Sequence, residues 1–168
     1  LWFNKRLEKY FSLPEYTYYD NKGILWMTKT FGEFGSVLQL FDTENKKIIK
    51  ENDSLYCGDT KSLFTDNRNR LFETYGLMHF SQSGGISIIE NYKTIKSINS
   101  KEFKNAKNEI LFENEIFIGP GTFNKWNNKY YFSTTKGFYE AEYINNGFIN
   151  FKFLFQPKLI WKQEPLAI

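Results

Sequence analysis

Asp20-Asn21-Lys22-Gly23-Ile24-Leu25-Trp26 is matched 46 residues later by Asp66-Asn67-Arg68-Asn69-Arg70-Leu71-Phe72. Each stretch begins with Asp, Asn and a cation, a combination that makes a tight turn, and in the first Gly23 is available for positive φ. Leu and a large ring follow, as in a strand that packs on one face. Tyr16–Tyr19 and Lys61–Thr65 precede the turns, and Ile24–Lys29 and Arg70–Tyr75 follow them, so each stretch reads as a β-hairpin.

Working outward, the first unit continues past Gly32 and Gly35 into Ser36–Phe41 and turns at Asp42-Thr43-Glu44-Asn45. It returns as Lys46–Lys50. Four short strands with tight connections predict an antiparallel meander. The second unit continues as Leu77–Phe80 after Gly76, Ile86–Ile89 after Gly84-Gly85, and Tyr92–Ile98 after Glu90-Asn91. A looser third copy runs Ile116–Phe123, Lys129–Thr134, Phe138–Tyr143 and Phe148–Phe155, with Asn145-Asn146-Gly147 as a hairpin turn. Asn69 and Phe72 align with Asn128 and Tyr131 at a separation of 59, and Phe151, Phe153 and Phe155 alternate like a strand with one buried face. The polar stretch Lys101–Asn114 accounts for the extra length, as a loop or short helix on the outside.

The expected fold is therefore all-β: about three four-stranded units, near residues 14–52, 60–100 and 115–156, in one β-repeat domain or a fragment of one. A four-stranded unit cannot bury both faces alone, and stacking such units at this period points to propeller-like blades. A barrel or sandwich is the alternative. At the start, Phe3, Leu7, Tyr10 and Phe11 fall on one face of a short N-terminal helix ended by Pro14; a strand competes with it. Leu159-Ile160-Trp161 reads as the first strand of a further unit.

The stretches Asp20–Thr28 and Ser62–Leu77 resemble the blade motif of the two-component regulator propellers, in which an Asp-rich turn precedes a Leu-Trp strand, a Thr and a Gly-Leu step. The third copy departs from it: Lys125 takes the place of Asp, and Tyr130-Tyr131 that of Leu-Trp. The resemblance implies a mostly extracytoplasmic sensor role in signal transduction, presenting a surface to a ligand or partner. The motif is structural and carries no catalytic residue with it.

Composition narrows the function classes. Of 168 residues, 41% are hydrophobic and 24% charged, which excludes a disordered tail. The net charge of +3 is too small and scattered to argue for nucleic acid. No apolar run reaches the ~18 residues of a membrane span. Cys57 is the lone cysteine and fits packing better than reactivity; no cofactor is indicated. The unusual figure is the 20% aromatic content, which serves packed sheets and binding surfaces alike.

Trp126, flanked by Asn124, Lys125, Asn127 and Asn128, is the candidate recognition residue. An indole in a polar loop can stack on a sugar ring while Asn side chains bond its hydroxyls. The competing reading folds Trp126 back onto its own unit. His79 is a candidate ligand-binding or pH-sensitive group, against a plain polar strand residue. Trp26, Phe72 and Tyr131 occupy equivalent places and read as packing between units rather than as a stacking platform. The expected function is non-enzymatic: binding a small-molecule or carbohydrate ligand, or a protein partner, through loops at one end of the blades. One alternative is a carbohydrate-active hydrolase with a carboxylate pair drawn from Glu73, Glu113 and Glu115. The other is a structural subunit completed by pairing with other blades.

Overall fold

The computed structural model describes residues 14–30, 36–49, 60–78, 82–91, 94–98 and 118–158. The described residues form twelve strands in three antiparallel sheets of four and contain no helix. The first sheet is β1 (Tyr16–Tyr19), β2 (Ile24–Thr30), β3 (Ser36–Asp42) and β4 (Lys47–Ile49). The second is β5 (Thr60–Thr65), β6 (Leu71–Met78), β7 (Gln82–Asn91) and β8 (Thr94–Ile98). The third is β9 (Ile118–Asn124), β10 (Lys129–Thr134), β11 (Gly137–Ile144) and β12 (Gly147–Phe155). Strand order follows chain order in every sheet, so each is a meander. The proposed N-terminal helix, the 101–114 insertion, Leu159-Ile160-Trp161, Cys57 and His79 lie outside the described residues.

The two Asp turns are built alike. Asp20 Oδ1 accepts the backbone N–H of Lys22 at 2.8 Å and of Ile24 at 2.9 Å. Asp66 Oδ1 accepts those of Arg68 at 2.9 Å and Arg70 at 3.0 Å. The carboxylate thus satisfies turn donors that the ladder leaves free. The fourth turn residue is left-handed in all three units: Gly23 at φ 80°, Asn69 at 57° and Asn128 at 56°.

Alternation then assigns faces. Trp26, Leu38 and Leu40 of the first sheet pack on Leu71 and Ile89 of the second. The opposite face of the second sheet, with Phe64, Phe72 and Ile86, packs on Tyr130, Phe132 and Phe148 of the third. Phe72, Phe132 and Phe148 are fully buried. Burying each such ring stabilises the fold by about 1.5–3 kcal/mol, and edge-on contacts such as Phe132 to Phe148 at 5.0 Å add to it. Tyr131, in the place of Trp26 and Phe72, is turned away from the second sheet and is half-buried.

Two sequence expectations need correction. Gly76 and the Gly84-Gly85 pair do not break the second sheet: β6 and β7 run through them, pairing Gly76 with Gly84 and Tyr75 with Gly85. A Cβ at Gly85 would collide with the Tyr75 ring and hydroxyl, so the glycine makes room for a cross-strand aromatic ring. Phe151, Phe153 and Phe155 do not share a buried face. Asn150 sits at φ 54° in a bulge opposite β11, which turns both Phe148 and Phe151 inward, while Phe153 and Phe155 are 51% and 53% exposed. Those two lie instead against Tyr139 and Phe138.

Candidate functional site

The β9–β10 turn carries Trp126 at its tip, 85% exposed. The ring does not fold back onto its sheet. Its backbone is nonetheless fixed: Asn124 Oδ1 accepts the Trp126 N–H at 3.0 Å, and Asn127 Oδ1 accepts the Lys129 N–H at 3.2 Å. These side-chain bonds do for this turn what Asp20 and Asp66 do for the others. Lys125 holds its ammonium 5.2 Å from the indole centre, a cation over an exposed ring.

The equivalent turn of the second sheet reaches the same end. Asn67 Nδ2 donates to Asn128 Oδ1 at 2.8 Å, joining the two tips. Below them, Tyr130 donates its hydroxyl hydrogen to Asp66 Oδ2 at 2.8 Å. Arg70 donates through Nε to the same oxygen at 2.7 Å and through Nη2 to the Tyr130 oxygen at 3.2 Å. The guanidinium also lies 4.4 Å from the centre of the Tyr143 ring. Burial pushes the Asp66 carboxyl upward, but the bonds from Arg70, Tyr130 and Arg68 outweigh it and hold the group below the ordinary Asp range. Burial pushes the Tyr130 hydroxyl up, and its bond to Asp66 adds to the shift. Around this relay opens a groove of about 400 Å³, with Asn67 and Arg68 on one side and Asn127, Lys129 and Tyr143 on the other.

A polar network extends from the Trp126 turn over the outer face of the third sheet. Asn127 Nδ2 donates to the Tyr131 oxygen, and Tyr131 donates to Glu140 Oε2, both at 2.8 Å. Beside them Glu142 accepts from Lys129 and from Asn150. The Lys129 bond, then that of Asn150, lowers the Glu142 carboxyl; the same contact raises the Lys129 ammonium. The arrangement is a rigid, hydrogen-bonding surface beside an exposed indole.

Trp126, Asn124 and Asn128 therefore share one hairpin, with Asn124 as the turn brace and Asn128 as the bridge to the second sheet. Asn67, Arg68, Arg70 and Tyr143 escaped the sequence reading as site residues. Their signal was the repeat itself, because equivalent turns must emerge at one end. Of the carboxylates considered for hydrolysis, Glu73 is 1% exposed and accepts a bond from Thr60 at 2.7 Å, while Glu113 and Glu115 lie outside the described residues. Among the described residues, no group of three or more His, Cys, Asp or Glu could hold a metal ion, and no helix is long and apolar enough to cross a membrane. No family model, curated protein or solved structure matches the chain.

Proposed function

We propose that the three sheets are successive blades of a propeller, and that the chain is a non-enzymatic binding module whose recognition surface is the turn end around Trp126. Two features support the blade reading. The first strands β1, β5 and β9 run beside one another in sequence. Equivalent rings, Trp26 and Phe72, face the next sheet in the same sense. Such stacking around an axis is what a four-stranded repeat of this period does. The observation that carries the functional reading is the Trp126 indole, 85% exposed on a turn that three Asn side chains hold in place. Fixed backbone under an open ring lowers the ordering cost of binding. Stacking by the indole and hydrogen bonding by Asn127, Lys129 and Tyr131 suit the two sides of a sugar ring. A sensor role of the kind the regulator propellers serve is compatible with this surface.

The test is titration of the protein with neutral glucan, mannan, xylan and chitin tetrasaccharides, followed by Trp126 fluorescence and calorimetry. At least one is expected to bind, and Trp126→Ala to weaken it about tenfold or more, equivalent to ~1.4 kcal/mol. Absence of binding by all four, or equal affinity in the variant, overturns the reading.

A further inference from the structure

A second cavity, which shares Arg70 and Tyr143 with the groove beside the Trp126 turn, opens at the turn end between the first and second sheets and encloses about 560 Å³. Its floor is apolar, from Ile24, Leu71, Ile88 and Ile89, with Tyr143 of the third sheet as one wall. Its rim carries one Asn from a turn of each sheet: Asn21 before Gly23, Asn69 in the left-handed turn position, and Asn146 in the β11–β12 hairpin. All three are exposed, and among the described residues none takes up their side-chain amides. Three separate turns thus place free amides at the rim of one apolar hollow. A cavity of this size, with an apolar floor and a few polar groups at its rim, has the make-up of a small-molecule site.

Charge narrows the occupant. Lys22 and Arg70 line the cavity, but Arg70 is engaged by Asp66, and the carboxylates of Asp20 and Glu90 line it as well and match the two cations in charge. No net positive field remains to attract an anion. Amide side chains both donate and accept, so they pair with other amides or with hydroxyls.

We propose that this cavity binds an uncharged small molecule with an aliphatic body and an amide-bearing edge. The body rests on Leu71 and Ile89, and the edge is read by Asn21, Asn69 and Asn146. The proposal stands independently of Trp126.

The probe is N-acetyl-leucine amide, with anionic N-acetyl-leucine as its charged counterpart, titrated into the isotope-labelled protein and followed by NMR. The amide is expected to shift the side-chain NH2 signals of Asn21, Asn69 and Asn146 but not the Trp126 indole, and to bind at least fivefold better than the acid. Asn21→Ala and Asn146→Gly each remove one amide, and glycine keeps the positive φ of position 146 (64°). Each is expected to weaken binding at least threefold with the melting temperature unchanged. Absence of shifts at 20 mM probe, shifts confined to Trp126, or equal binding of amide and acid overturns the proposal. So does binding indifferent to both substitutions.

Discussion

Tyr130 and Asp66, 64 residues apart, meet at 2.8 Å across the second and third sheets, the hydroxyl donating to a carboxylate oxygen. The Asp66 side chain is sealed from solvent, and the same oxygen takes Arg70 Nη2 at 2.6 Å. A turn residue of one sheet is thus also the anchor for a core ring of the next. Local and long-range structure share one acceptor.

Removing the hydroxyl alone separates these roles. Tyr130→Phe keeps the ring but loses the bond to the buried Asp66 carboxylate and the longer one from Arg70, which costs about 1.5–3 kcal/mol. Asp66→Ala also strips the turn and leaves Arg70 unpaired, and is expected to cost about 3–5 kcal/mol. Urea unfolding followed by fluorescence measures both. Equal costs for the two variants would show that the turn bonds contribute nothing.

The same pair contributes to both ends of the pH profile. Asp66 is depressed in the folded state, so its contribution is complete above the unfolded Asp value of about 4 and is lost as pH falls below it. Tyr130 is raised in the folded state, so its contribution is complete below the unfolded Tyr value of about 10 and is lost above it. Asp66→Asn is expected to flatten the acid limb, and Tyr130→Phe the alkaline limb. Melting temperatures from pH 2 to pH 11, about two units below the Asp reference value and about one above the Tyr value, are the measurement.

Gly121 is a point of close approach between the second and third sheets. Its N–H donates to Ser62 Oγ at 2.8 Å, and a Cβ there would lie 2.7 Å from Phe132 and 2.8 Å from Thr74. Gly121→Ala is expected to destabilise the fold by about 1–3 kcal/mol through overpacking. Adding Thr74→Ser, which removes the obstructing methyl, should recover part of that loss. A double variant no better than the single one would place the strain on Phe132 instead.

Backbone handedness gives a separate check on the repeat. A Cβ at Gly23 would meet Thr43 and Glu44 only at ordinary van der Waals distance, but the residue sits at φ 80°. Gly23→Ala is expected to cost about 1–2 kcal/mol from the left-handed conformation alone. Asn69→Gly, at the matching place, should change stability by only a few tenths of a kcal/mol. Thermal unfolding of the two variants tests whether these positions are interchangeable.

Much of the fold was legible because its turns are chemically explicit. Asp20, Asp66 and the left-handed trio of Gly23, Asn69 and Asn128 mark hairpins in sequence and in space. The glycines of β6 and β7 misled because only the facing Tyr75 ring explains them, and it lies on a neighbouring strand. The phase of β12 was hidden for a similar reason: the Asn150 bulge resets alternation, and nothing local distinguishes that Asn from a loop residue. Trp126 could be named as a candidate from its polar neighbours, whereas the convergence of Asn21, Asn69 and Asn146 required three sheets to be placed together.

The Arg70 guanidinium forms part of the wall of both cavities. Where one occupant shifts that shared side chain, the two sites become thermodynamically linked, and the linkage is reciprocal. Whatever factor a molecule between the first two sheets applies to affinity in the neighbouring groove, the groove's occupant must return. A single cation clasped by Asp66 and Tyr130 would then serve as the meeting point of two otherwise separate equilibria.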